Sequence, residues 1–134
     1  VKTRNGYILL AAMALLLIIF VFNWLRTNTD HFNMFMPFAV TLNNDSDYDI
    51  VSVKMGIVSS TSAHTYTKPI KAGDSVRIKP QLQLTGEGAV YLEYTDARGV
   101  TRENIACGYT ESLTGRAELT IDNDRFVLNE QDCW

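Results

Sequence analysis

Two cysteines, Cys107 and Cys133, are the most reactive side chains in this sequence, and the first chemistry open to them is with each other. Neither has a CxxC partner and no histidine is close in sequence, so nothing supports a nucleophilic or redox-catalytic thiolate. A disulfide between them would close a loop of about 26 residues and stabilise a small domain by roughly 3 to 4 kcal/mol. Its expected role is to pin the C-terminal segment to the rest of the fold.

Other reactive groups fall short of a recognisable site. Asp45, Asp47 and Asp49 alternate as at the start of a calcium loop, but an EF-hand counted from Asp45 needs Gly at position 50 and Glu at position 56. Ile50 and Gly56 stand there instead, so a solvated acidic turn is the expectation; an irregular calcium site shared with Asp122 and Asp124 is the open alternative. His31 and His64 lack metal-ligand spacing, and Ser59, Ser60 and Ser62 beside His64 belong to no G-x-S-x-G elbow. Glu93 and Glu103 are expected to face solvent across a hairpin, near Arg102. No enzyme, cofactor or metal is expected from these residues. Aromatic side chains are the better lead: Tyr48 and Tyr66 fall near loops and Tyr91 lies opposite the apolar face of its strand, where tyrosines serve binding surfaces.

These residues follow a segment of another kind. Tyr7 to Leu25 is a run of nineteen residues without a charge. As a helix rising ~1.5 Å per residue it spans about 28 Å, close to the roughly 30 Å of a bilayer's hydrocarbon core. Tyr7 and Trp24 stand at its ends, at the depth where amphipathic rings prefer the headgroups. No Ala-x-Ala-like cleavage site follows and no Cys is placed for acylation, so the run reads as an uncleaved anchor. Lys2 and Arg4 precede it and only Arg26 follows closely, which predicts a cytoplasmic N-terminus and an extracytoplasmic remainder. That compartment is oxidising, as a Cys107–Cys133 bond requires.

Lys2-Thr3-Arg4-Asn5-Gly6, followed by Tyr7 and the apolar run, resembles the short basic leader of type IV pilins and pseudopilins. The resemblance implies cleavage after Gly6 and a minor filament subunit as the alternative function. The fifth residue after Gly6 is Ala11, where that family usually has Glu, and Arg26 to Asn44 contains Pro37 and no sustained helical period.

The sequence thus divides into an N-terminal tail (1–6), a transmembrane helix (7–25), a polar stalk (26–34) and a domain (35–134). The domain alternates with period two over Met36–Leu42, Val51–Ile57, Ser75–Lys79, Ala89–Thr95, Thr101–Tyr109 and Ala117–Ile121, with Thr65–Thr67 and Arg125–Trp134 as weaker segments. The first two segments read as a hairpin closed by Asn43–Asp47, and Asp96-Ala97-Arg98-Gly99 as a second hairpin turn. Six or seven short strands predict an antiparallel sandwich of immunoglobulin-like architecture, although no Cys…Trp…Cys pattern is present. Removing Lys2 and Arg4 from the twelve Lys and Arg leaves ten against fifteen Asp and Glu, so the part beyond the anchor is mildly acidic. Such a surface disfavours nucleic acid. The function expected is a membrane-anchored module binding another protein, as an accessory subunit of a membrane or envelope complex or as an immunity-like protein.

Overall fold

In the computed structural model, residues 2–27 and 35–134 are described, with the helix side chains from Gly6 onward. Helix α1 runs over Lys2–Thr27, longer at both ends than the 7–25 core of the apolar run. Arg26 and Thr27, read from sequence as the start of a stalk, are its last residues, and the Thr27 hydroxyl closes the helix on the Asn23 and Trp24 carbonyls at 2.9 and 3.1 Å. The rest of that stalk, His31 included, lies outside the described residues. Between Gly6 and Thr27 every side chain is exposed, and the segment is long and apolar enough to cross a membrane. A helix apolar on all sides has no polar face to give to water, which suits a lipid surrounding.

The second unit is β throughout. Its strands among the described residues are β1 (Ala39–Asn44), β2 (Ile50–Ile57), β3 (Ala63–Tyr66), β4 (Ser75–Ile78), β5 (Gly88–Asp96), β6 (Thr101–Thr110), β7 (Gly115–Ile121) and β8 (Phe126–Cys133). They form two four-stranded sheets, in the orders β4-β1-β7-β8 and β3-β2-β5-β6. This is an open sandwich of eight strands, where the sequence led to six or seven. The added element is β8, which the alternation left undecided between strand and tail.

Alternation sets the core, as one buried face per sheet requires. Val40, Leu42, Ala117, Leu119 and Ile121 from one sheet meet Val53, Met55, Val90, Leu92 and Tyr94 from the other, all nearly or wholly inaccessible. Tyr94 also meets Phe126 edge to face at 5.0 Å, which ties β8 to the opposite sheet.

Two expectations fail on topology. β1 and β2 do not form a hairpin: they lie in different sheets, and the Asn43–Asp47 segment carries the chain from one layer to the other. The arrangement is also not wholly antiparallel, because β1 pairs with β7 in parallel, Leu42 beside Leu119. In immunoglobulin domains the first, second, fifth and fourth strands share one sheet. The present orders differ, so the likeness extends to the two-layer architecture and not to strand order.

Register defines two ends of this unit. At the entry end, Pro37 bridges Thr114, Phe38 N–H donates to the Leu113 carbonyl at 2.9 Å and Gly115 N–H to that of Met36 at 3.0 Å. The loops after β2 and before β5, the turn at 111–114 and Trp134 share this end. Segments 45–49, 71–74, 97–100 and 122–125 make up the opposite end.

Candidate interaction surface

The two sheets present different outer faces. On β4-β1-β7-β8 the polar side chains bind one another: the Ser75 hydroxyl donates to Asn43 Oδ1 at 2.7 Å, Asn43 Nδ2 donates to Glu118 Oε1 at 2.8 Å, and Arg116 pairs with Glu130 at 2.8 Å. Asn129 Nδ2 adds a bond to the Thr120 hydroxyl. A surface whose polar groups already hold one another has less to offer a partner.

On β3-β2-β5-β6 the register aligns Ala63, Gly56, Tyr91 and Ile105 as direct neighbours across all four strands. Gly56 has a packing reason for its missing side chain. A Cβ at that position would stand 2.6 Å from the Tyr91 hydroxyl oxygen and 2.7 Å from its ring. The ring thus lies flat over bare backbone, an aromatic covering a strand glycine. Lys54 Nζ is 6.0 Å from the ring centroid, at the outer limit of cation–π contact. Ile105 is 37 % exposed at the end of the row. The next row places Thr65, Lys54, Glu93 and Glu103 side by side. An apolar strip therefore runs beside a charged one.

The three tyrosines singled out in the sequence are sorted by this geometry. Tyr48 stacks under the Arg98 guanidinium, 3.7 Å from ring centroid to Cζ, and Arg98 is held by the buried Asp96 carboxylate at 2.7 Å. Tyr66 is half-buried against the core, opposite Val53. Tyr91 alone of the three lies on an outer sheet face. Nothing brings them together into one site.

The remaining candidates sit as follows. Asp47 and Asn123 exchange two hydrogen bonds of 2.8 Å, and Asp49 Oδ1 accepts from the Ala72 N–H at 3.1 Å. Asp122 accepts from Asn123 N–H and from Arg125, which hold its carboxyl below the ordinary value. Among the described residues no three His, Cys, Asp or Glu side chains stand close enough to hold a metal ion. His64 lies on β3 beside Met55, while the Ser62 hydroxyl accepts from Gln83 N–H at 2.7 Å. Glu93 and Glu103 are paired across β5 and β6, but Arg102 is paired with Tyr94 and so belongs to the other side of β6.

Cys107 and Cys133 form the disulfide, with Cα atoms 6.2 Å apart. The bond joins β6 of one sheet to the end of β8 in the other. Simple alternation would put Ile105, Cys107 and Tyr109 on one face. The register instead slips between Val90 and Tyr91, where Ala106 is the extra residue of a bulge, and Ala106 and Cys107 are both buried while Ile105 and Tyr109 are exposed.

Tyr109, which alternation predicts on the apolar side of its strand, is exposed. Its hydroxyl lies between Glu87 Oε2, at 2.9 Å, and Glu111 Oε1, and bonding to Glu111 and then to Glu87 drives its pKa far above the ordinary tyrosine value.

The sequence matches no protein-family model and no curated protein. In fold it is similar to the NMR structure of a protein from Eubacterium rectale, with a TM-score of 0.50 over 69 % of this chain and 87 % of that one. Identity between the two is 14 %, so the likeness concerns the fold alone.

Proposed function

We propose that this protein is a membrane-anchored, extracytoplasmic, non-enzymatic module that binds another protein through the outer face of β3-β2-β5-β6. The observation that carries this is the row Ala63, Gly56, Tyr91 and Ile105: a flat apolar strip, centred on an aromatic ring, beside Lys54, Glu93 and Glu103. Protein interfaces gain most of their energy from a few central aromatic or Arg residues within a polar surround. The extracytoplasmic side is favoured by Lys2 and Arg4 before the helix, and by a disulfide that persists in oxidising compartments. An accessory subunit of a membrane or envelope complex, or an immunity-like protein, fits this design. The mildly acidic composition speaks against nucleic acid as the partner.

The test compares the two faces in the full chain. A photo-crosslinker at Thr65 should capture a partner from native membranes, and Tyr91→Ala should reduce that capture at least about tenfold, the loss expected of a central aromatic. Asn43→Ala, on the other sheet, should leave it unchanged. Equal capture by Tyr91→Ala and the unmodified chain would refute the assignment of this face.

A further inference from the structure

Among the described residues of the β unit, the exposed aromatic side chains are Phe35, Tyr109 and Trp134, with relative exposures of 78 %, 51 % and 49 %. All three lie at the entry end. Met36 and Val58, at 55 % and 43 %, are exposed at the same end. Backbone bonds make these residues neighbours. Met36 and Trp134 flank the same short segment, since Gly115 N–H donates to the Met36 carbonyl and Trp134 N–H to that of Thr114 at 3.2 Å. Tyr109 and Trp134 line one shallow cleft with Glu111, Ser112 and Cys133. Gly88 beside Thr110, and Val58 N–H bonded to the Ala89 carbonyl at 2.9 Å, continue the rim to Val58.

We infer that this rim is a lipid-contacting surface that rests in the headgroup region of the bilayer holding α1. Phe35 follows Thr27 by eight residues, and eight Cα steps reach at most about 28 Å. A tether that short gives the rim a high effective concentration at the lipid surface, and weak apolar contacts then suffice. Trp and Tyr, with an apolar body and a polar tip, are the side chains that settle at this depth. Glu87 and Glu111 share the Tyr109 hydroxyl and make the Tyr109 side of the rim acidic, while Lys79 and Arg116 are exposed elsewhere at this end; the lipid proposed is zwitterionic rather than anionic. The inference rests on the membrane-spanning reading of α1 and is independent of the sheet face assigned to a protein partner.

Trp24→Phe leaves Trp134 as the sole tryptophan of the full chain. This variant is reconstituted at high dilution into phosphatidylcholine vesicles carrying lipids brominated near the headgroup. Trp134 should be quenched strongly by the brominated lipid and weakly by aqueous iodide, and adding Phe35→Ser with Met36→Ser should weaken the lipid quenching several-fold. Strong iodide quenching without lipid quenching, in vesicles that still carry the protein on flotation, would overturn the rim while leaving the anchor intact. Failure to float would overturn the anchor and the rim together. Quenching changes confined to high protein-to-lipid ratios would assign the rim to a second copy of the chain and overturn the lipid assignment.

Discussion

The two ends of the sandwich are held by different means. At the opposite end, besides Gly73 and Gly99 at positive φ, two buried side chains organise the loops. Asn44, wholly buried, donates to the Tyr48 and Ile70 carbonyls at 2.9 and 3.1 Å and accepts from the Ser46 amide and hydroxyl. Asp96 accepts from the Arg98 and Val100 amides at 2.9 and 3.0 Å and pairs with the Arg98 guanidinium. The entry end adds strained backbone and a covalent bond to its side-chain contacts: the wholly buried Thr110 hydroxyl donates to the Trp134 carbonyl and accepts from the Leu113 N–H at 3.0 Å, Gly115 stands at φ 101° with Ser59 and Leu113 also at positive φ, and the disulfide leads into Trp134. The acidic, Asn- and Asp-rich segments that look most like a site in the sequence spend their polar groups on one another. The plainer end holds its backbone in place and leaves aromatic side chains outside.

The costliest single change at the entry end is Gly115→Ala. Its φ of 101° is outside what an L side chain adopts easily, and a Cβ there would collide with the Asp132 carbonyl oxygen, a backbone atom with nowhere to go. A loss of at least roughly 4 kcal/mol is expected. Urea unfolding of the full chain in detergent, followed by fluorescence, would read it. A loss below about 1 kcal/mol would mean the β7–β8 pairing adapts, and the backbone account of this end would be wrong. Next comes the disulfide. Replacing Cys107 and Cys133 together by Ser should cost about 3 kcal/mol in the same assay. The same variant should raise amide exchange of Ser112 and Trp134, whose backbone bonds to each other and to Thr114 lie beside the bond.

Much of this was legible locally. Nineteen residues without a charge specify the helix, period-two alternation specifies most strands, and the two cysteines have only each other to pair with in the chain. What was not legible depends on distance. The turn composition of Asn43–Asp47 predicts a hairpin of β1 with β2, but nothing near Leu42 announces Leu119, its parallel neighbour. Asn44 is the residue that misled: in a turn it would face water, and here it is the buried plug around which the chain changes sheets. The face proposed for a partner is half legible. Tyr91 could be picked as opposite the Val90 face, but its meaning comes from Gly56 and Ile105, and the Ile105 position hinges on a bulge that alternation cannot forecast.

Asn44→Ala tests the opposite end directly. It takes one donor each from the Tyr48 and Ile70 carbonyls, which keep the Ser46 hydroxyl and the Ile50 N–H, and leaves the Ser46 amide without its Asn44 acceptor in a dry place; it should cost about 2 kcal/mol. Asn44→Asp restores the acceptor but not the donors, so it should recover little. If Asn44→Ala costs less than about 0.5 kcal/mol, the Asn44 network does not hold this end and the contrast between the ends fails.

Asp96 gives the smallest and most specific effect, through pH. Burial would raise its carboxyl, but the Arg98 side chain and then the Val100 and Arg98 amides outweigh burial and hold it below the ordinary Asp value. A carboxylate depressed in the folded state adds stability at pH values above its unfolded pKa, about 3.9, and that contribution fades as pH falls through the lower, folded value. Wild type should therefore exceed Asp96→Asn in urea midpoint at pH 6, by less than the Asn44→Ala effect, and the gap should narrow below pH ~4. Arg98 also stacks on Tyr48, so Arg98→Gln should remove the part of the pH-dependent increment that its side chain supplies, leaving that of the Val100 and Arg98 amides, and expose the Tyr48 ring. A gap that stayed constant across this range would mean that the Asp96 charge does not stabilise the hairpin, and that only its shape as an amide acceptor does.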